Sequence, residues 1–439
     1  MALPFVGRGS SPVWKNWAGA ECRPRVIERP LSRGELVDVV GVAAAAGRQV
    51  TVAGSGHSFT GAPMTEDVMI DLSALSGVLD ADRASGRVRV LAGTVLHDLN
   101  RELDSLGLAL PNLGDIDYQT LAGSFSTGTH GTGEGYRNLA AQVVELDLVT
   151  ATGEVLTITG EEADLLRAAR VAIGSLGVIV AVTLQTVPAF NLHREDAPVP
   201  LDEVLADFDQ LASGNDHFEF FVFPYSDTAL TLRRNRTDRP PAPRSEVEKF
   251  ISDRVVENGI GDLLLRGLSQ FPGAIPGVSR FSSRFMTQSE QTDASYRLFV
   301  NHRTIRFNEM EYCLPREEGL EALSLVLRTI REQEMPLAMP VECRVLGPDD
   351  SMLSPSFDRP SIYVAVHQHA SADWEQWFRE LEPIFTERGG RPHWGKHHTR
   401  TAAELAPLYP EWDAFQSVRD RLDPERTFTN AYLERVLGA

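Results

Sequence analysis

Between Thr94 and Leu106 the apolar residues Val95, Leu96, Leu99, Leu103 and Leu106 recur every three or four positions, the spacing of one helix face, and Gly107 follows as a stop. Earlier, Ser32-Arg33-Gly34-Glu35 reads as a capping box in which the serine hydroxyl and glutamate carboxylate each satisfy a free N–H, so a helix is expected to about Ala46, with Gly47 ending it. The period then falls to two: Gln49–Ala53 alternates as a strand, and Val68–Leu72 and Arg87–Leu91 read as further strands. Val143–Thr150 and Val155–Thr159 flank Ala151-Thr152-Gly153-Glu154 and predict a hairpin. A helix near Glu161–Val171 and the apolar run Gly177–Val187 complete this part, with Pro188 as its boundary.

From Ala189 glycines thin out and aromatics appear, as in Phe218-Glu219-Phe220-Phe221-Val222-Phe223. Strands are expected at Phe218–Phe223, Glu309–Leu314, Val341–Leu346 and Ile362–His367, with helices near Arg316–Glu332 and Ala372–Arg388. Antiparallel strands mixed with helices indicate an α+β layer. The Pro/Arg-rich stretch Arg236–Arg244 reads as an exposed loop. Three segments result: 1–188, 189–390 and 391–439.

Charge narrows the function classes. Acidic side chains number 61 against 42 basic ones, a formal net charge of −19 over 439 residues. Nucleic-acid binding depends on basic side chains displacing counterions, so such a surface argues against it. No stretch approaches the roughly 20 apolar residues a transmembrane helix needs; the most apolar run, Val37–Ala46, is too short, and Met1–Trp17 has no apolar leader core. Cys22, Cys313 and Cys343 are too few and scattered for a disulfide framework or a CxxC zinc site. The expectation is a cytoplasmic protein, with peripheral membrane contact compatible.

Two glycine-rich stretches carry the candidate chemistry. Gly54-Ser55-Gly56-His57-Ser58 follows a strand, yet Phe59 stands where the dinucleotide fingerprint needs glycine, and there is no P-loop lysine. Gly-x-Gly alone is equally a structural turn; a histidine in so bare a loop fits either an exposed turn or a ligand contact. The second stretch, Gly123–Gly135, contains Thr127-Gly128-Thr129-His130-Gly131-Thr132-Gly133. Its hydroxyls and backbone N–H groups suit a pyrophosphate, which backbone nests bind without cationic side chains.

Those two stretches, Ser124-Phe125-Ser126 ahead of the second, and the late His393-Trp394-Gly395-Lys396, in this order, resemble the vanillyl-alcohol-oxidase superfamily of FAD enzymes. The resemblance runs from Trp14 to Leu437 and lies in the aldonolactone oxidoreductase branch: L-gulono-1,4-lactone and D-arabinono-1,4-lactone oxidases or dehydrogenases, with alditol oxidases as relatives. Asn215-Asp216-His217-Phe218-Glu219-Phe220-Phe221 and Arg391-Pro392-His393-Trp394-Gly395-Lys396 are similar to the bacterial L-gulono-1,4-lactone dehydrogenases. It implies an α+β fold: a two-subdomain FAD-binding domain, an α+β cap with an antiparallel sheet, and a C-terminal segment returning to the FAD domain.

The same resemblance implies site residues. FAD would lie against Gly54, Ser55, Gly56, His57, Ser58, Thr120, Ser124, Gly128, Thr129, His130, Gly131, Thr132, Gly133, Ile179 and His393, with His57 bonded covalently to the flavin 8α carbon. Lys396 would stabilise reduced flavin, and Glu342 and Arg344 would act on the substrate hydroxyl, with Thr120 and His369 as further substrate contacts. The residues alone say less: Glu342 and Arg344, two apart in a strand, share a face and equally fit a surface ion-pair ladder, with Cys343 on the opposite side as packing. His367 and His369 also share a face, but no third ligand is evident for a metal. His397 and His398 read as exposed loop residues. The expected substrate is a sugar lactone, or alternatively a polyol, and the expected electron acceptor is O2 or a cytochrome c-like protein.

Overall fold

A computed structural model describes residues 12–242, 261–283, 286–301 and 305–439. Most of Met1–Trp17 and the end of the Arg236–Arg244 stretch lie outside them. The first part of the chain runs β1 (Val26–Glu28), α1 (Arg33–Ala45), β2 (Val50–Ala53), β3 (Val68–Asp71), β4 (Val78–Asp82), β5 (Arg87–Leu91), α2 (Leu96–Ser105), α3 (Leu121–Ser126), β6 (Val143–Val149), β7 (Val155–Ile158), α4 (Ala163–Arg170) and β8 (Val178–Gln185). The second gives β9 (Asn191–Pro200), β10 (His217–Val222), β11 (Thr228–Thr237), β12 (Ser289–Ala294), β13 (Phe307–Pro315), α5 (Arg316–Glu332), β14 (Val341–Leu346), β15 (Ser361–His369), α6 (Glu375–Thr386) and β16 (Arg391–Pro392); α7 (Trp412–Leu422) and α8 (Ala431–Leu437) follow.

Two sheets build the first part. A three-stranded parallel sheet has order β1-β3-β2, and a five-stranded antiparallel sheet has order β7-β6-β8-β5-β4. The box at the start of α1 closes slightly differently from expectation. Ser32 Oγ accepts from Glu35 N–H at 3.2 Å, but the Glu35 carboxylate reaches back to Leu31 N–H at 2.8 Å instead of to Ser32. The core around β5, α2 and α4 also takes in Trp394, Tyr409, Phe415 and Leu433, so the end of the chain packs back onto the first part.

The second part is one eight-stranded antiparallel sheet, order β12-β9-β11-β10-β14-β15-β13-β16. Strands β9, β11 and β12 were not evident from alternation; Arg236 and Thr237, read as loop, end β11. Side chains of a strand alternate between faces, and in the centre of this sheet the two faces differ in kind. Phe218, Phe220, Val341, Cys343, Val364 and Met310 turn outward to Leu323, Val326 and Leu327 of α5 and Phe378 and Leu381 of α6. The opposite face carries Glu219, Glu342, Arg344, His367, Glu309 and Glu311, all buried. No helix among the described residues is long and apolar enough to cross a membrane.

Helix α5 lies close on the sheet because Gly319 faces Ile362: a Cβ there would stand 2.4 Å from Ile362 Cβ. Gly319→Ala should therefore destabilise the protein by about 1–3 kcal/mol, read as a lowered midpoint in thermal or denaturant unfolding. An unchanged midpoint would mean that the sheet and helix separate freely.

Candidate active site

Strand β2 ends where Gly54-Ser55-Gly56-His57-Ser58 begins, and this loop forms one wall of a cleft between the two sheets of the first part. The cleft holds about 580 Å³ of free space and is lined further by Asp71, Ser73, Gly93, Thr120, Ser126, Gly174 and Ile179. None of its lining residues is a lysine or arginine. Glycine is required at Gly93, where a Cβ would stand 2.0 Å from Leu72 O, while at Gly54 a Cβ would displace the Thr120 hydroxyl, 2.4 Å away. Asp71, Asp98 and Glu102 also line the cleft; the hydroxyls and bare backbone of the glycine-rich loop, without cationic side chains, fit an elongated group whose phosphates are held by dipoles.

His57 lines both this cleft and a smaller cavity of about 100 Å³ under the polar face of the eight-stranded sheet. Trp17, Phe59 and Phe307 form the apolar wall of that cavity, with Trp17 and Phe307 ring centroids 5.0 Å apart. Burial, reinforced by the charge of Lys396, lowers the His57 pKa, so its imidazole is neutral at pH 7.

Opposite the aromatic wall, Arg344 is paired with three carboxylates: Nε stands 2.9 Å from Glu219, and Nη2 stands 2.7 Å from Asp115 and 2.5 Å from Glu342. Burial opposes the guanidinium charge, but Asp115, Glu342 and Glu219 together hold its pKa well above the ordinary value. Glu219 is met from behind by Arg234 at 2.9 Å. On β13, two strands from Arg344, the Glu309 carboxylate binds Lys396 Nζ, and His367 Nε2 on the strand between stands 3.6 Å from Glu309 and 3.9 Å from Glu342. Against the effect of burial, Lys396 and His367 hold Glu309 well below the usual carboxylate range. Glu311 is likewise lowered, because the opposing His130 ring outweighs its burial. His393 is pushed down to about 3, chiefly by burial, and is neutral.

The fold therefore gathers Glu342, Arg344, Lys396, His57, Ser58, Thr129, His130 and His393 around one cavity, and Gly54, Ser55, Gly56, Thr120 and Ile179 along the cleft that meets it. The second glycine-rich stretch serves more than one surface: Gly123, Ser126 and Thr127 line the cleft, and Thr127, Thr129 and His130 line the cavity. Its first residues belong to α3, where the Ser124 hydroxyl donates to Leu121 O at 2.7 Å. Gly131 packs on Asn112 and Leu113, Gly133 (φ +125°) on Asp216 O, and Gly128 faces Pro355. Thr132 donates to Phe218 O and accepts from Val345 N–H at 3.2 Å. Thr132 and Gly133 thereby seat the end of the stretch against the cap.

His369 points away from His367: its Nε2 lies 3.1 Å from Asp262 and its Nδ1 2.7 Å from Ser371. His397 and His398 are not exposed loop residues. His397 stacks on Trp374 at 3.9 Å and meets Asn308, and burial takes its pKa down to about 4; His398 meets Tyr432 at 3.1 Å. Asp115, Glu219, Glu309 and Glu311 were missed as site residues, and His367 was weighed only as half of a metal pair. The alternation Glu309-Met310-Glu311 was their one local signal. Glu309 and Glu342 do supply acids beside His367, but each already carries a cation, Lys396 or Arg344.

Comparison with known proteins bears directly on this arrangement. A family model described as D-arabinono-1,4-lactone oxidase matches residues 182–436, and one described as an FAD binding domain matches residues 24–159. The chain belongs to the D-arabinono-1,4-lactone oxidase family of FAD-dependent oxidoreductases. It is 47% identical over 429 residues to an L-gulono-1,4-lactone dehydrogenase of Mycobacterium tuberculosis, covering 98% of this chain and 100% of that one. An L-gulonolactone oxidase of Bos taurus is 34% identical, with 96% and 98% covered, and an alditol oxidase of a Streptomyces species 32% identical, with 96% and 98% covered. The fold is shared with a solvent-stable cholesterol oxidase at a TM-score of 0.82 and 20% identity, over 98% of each chain. The enzyme thus has the vanillyl-alcohol-oxidase type of architecture that its glycine-rich motifs implied.

The Lys396–Glu309 pair of this family member has a pH signature. A carboxylate with a lowered folded-state pKa contributes stability above its ordinary value of 4.5, and that contribution is lost as pH falls through the folded value. Lys396→Met should cost about 2 kcal/mol near neutral pH, the scale of a hydrogen bond to a charged group. The gap to wild type should narrow progressively as pH falls below the ordinary carboxylate value and close only where Glu309 of the wild type is itself protonated, below its lowered folded value. Melting curves across pH check this; a gap that stays constant to low pH would assign the loss to packing.

Proposed function

We propose that this enzyme oxidises an aldonolactone, L-gulono-1,4-lactone in particular, at the C2 hydroxyl. The observation that carries the reading is the position of His57, which joins a cation-free cleft suited to FAD to a cavity lined by Glu342 and Arg344. FAD, when bound, supplies the acceptor for the hydride that leaves C2. Gly54 to Ser58, Thr120, Ser126 and Ile179 would hold it. The neutral His57 imidazole has a free nitrogen lone pair, which supports a covalent bond to the flavin 8α carbon.

The remaining steps fall to the chain. Glu342 accepts the C2 hydroxyl proton as the C–H bond breaks, and Arg344 stabilises the alkoxide-like oxygen. Lys396 places a positive charge beside the His57 end of the cleft, where negative charge grows on reduction. Trp17, Phe59 and Phe307 limit water around the reacting carbon. The substrate loses two electrons and two protons, one of them within the hydride, and the 2-keto product tautomerises to an ene-diol.

The kinship with an alditol oxidase favours a second reading, oxidation of a polyol with electrons passed to O2. For the lactone reading, the net charge of −19 favours a basic, cytochrome c-like acceptor, since opposite charges steer association. Free thiols at Cys22, Cys313 and Cys343 support a reducing, cytoplasmic location.

Anaerobic mixing of the purified flavoprotein with a panel of lactones and polyols should bleach the flavin fastest with L-gulono-1,4-lactone. Bleaching only by polyols, with rapid reoxidation in air, would replace the first reading by the second. Acid precipitation should leave the flavin on the protein, and His57→Ala should release it to the supernatant; complete release from wild type ends the covalent proposal. Glu342→Gln should slow bleaching by roughly 100- to 10,000-fold, the usual contribution of a positioned general base.

A further inference from the structure

Asp115 lies in the first part of the chain, in the loop joining α2 to α3, and its carboxylate crosses to the cap sheet to meet Arg344 Nη2 at 2.7 Å. The loop is fixed on both sides. Asp117 binds His97 of α2 through its side chain at 2.8 Å and its carbonyl at 2.7 Å, and Leu96 N–H donates to Gln119 O at 2.9 Å. From the cap, Asn301 N–H donates to Asp115 O at 2.8 Å. Asp115 is therefore a stationary group.

Its partner is crowded on one edge. Glu219, Asp115 and Glu342 make their shortest contacts with Nε and Nη2, not with Nη1, and Arg344 lines the cavity. Oxygens of these three acids lie within 4.8 Å of one another. Like charges at that spacing raise one another's affinity for a proton. Among the described residues, the charged and titratable groups around Glu342 include Arg344 on its own strand, Glu219 on β10, Asp115 on the loop, His367 on β15, and Glu309 with Lys396 beyond it.

We propose that Asp115 is a positioning residue of the reaction: it holds the Arg344 guanidinium with Nη1 presented to the substrate oxygen, and its charge keeps Glu342 basic beside that guanidinium. Nothing in the local sequence Leu113-Gly114-Asp115-Ile116-Asp117 marks it; the role exists only because the loop and β14 meet. The inference rests on the lactone-oxidising reading, in which Glu342 takes the proton.

Two variants separate its parts, each measured as a flavin-loaded enzyme with its flavin content and melting temperature recorded. Asp115→Asn keeps an oxygen for Arg344 but removes the charge. It should shift the acidic limb of the kcat/KM pH profile to lower pH, because Glu342 loses a like-charged neighbour, with little change in KM. Asp115→Ala removes both and should lower kcat/KM on the order of 10- to 100-fold, the scale of a misplaced reacting group. A crystal structure of Asp115→Ala should show the Arg344 guanidinium displaced. Both variants matching wild type in kcat/KM and in pH profile would overturn the proposal, and so would an undisturbed Arg344 in that crystal structure. The crystallographic arm decides even if wild type bleaches with no substrate offered, a result that would defeat the functional reading alone.

Discussion

A carboxylate taken out of water costs several kcal/mol unless a cation and hydrogen bonds meet it, and the inner face of the cap sheet buries Glu219, Glu309, Glu311 and Glu342 together. That face survives because the cations come from every direction. Arg344 comes from the sheet itself, Arg234 from β11 behind Glu219 and Lys396 from the C-terminal return, while the His130 ring of the first part of the chain stands 3.3 Å from Glu311. Remove Lys396 or Arg344 and a buried acid loses its shortest ion pair. The site's chemistry and the docking of the two parts are consequently one electrostatic problem.

The opposite face shows why the sheet can carry such a load. Its residues alternate strictly, so each charged position on one side is matched by an apolar one on the other: Glu342, Cys343, Arg344 and Val345 in β14, and Glu309, Met310, Glu311 and Tyr312 in β13. The apolar members pack beneath α5 and α6 and supply the burial that drives folding. The charged members can then be chosen for reactivity, at a stability cost that their ion pairs offset.

Local order explains what could be read from the chain before its fold. The capped start of α1, the helix face of α2, the hairpin of β6 and β7, and the shared face of Glu342 and Arg344 depend on neighbours within a few residues, and all are visible in the local sequence. The partners Asp115 and Glu219 stand more than 100 residues away from Arg344 in sequence, and their meaning lies in strand pairing such as Glu219 opposite Arg344. The second glycine-rich stretch was opaque for a related reason. Small residues signal close approach by something, but composition cannot say whether a phosphate or the protein's own backbone arrives; here Gly131 and Gly133 admit Leu113 O and Asp216 O. His369 shows the limit of alternation itself, since at the last residue of β15 its ring is drawn off to Asp262.

Strand β16 is short, only Arg391 and Pro392, yet it makes the chain leave the cap along the sheet's edge and pass at once through His393 to Lys396, where Gly395 O accepts from Phe59 N–H at 2.8 Å. The cap is thus not a detachable cassette. An exchange of residues 189–390 between relatives would bring in a new Glu309 position while keeping the old Lys396, so acid and cation would be inherited from different parents. Recombination among such enzymes is free to diversify substrate recognition only where the crossover falls beyond Lys396, or where both parents share the pair.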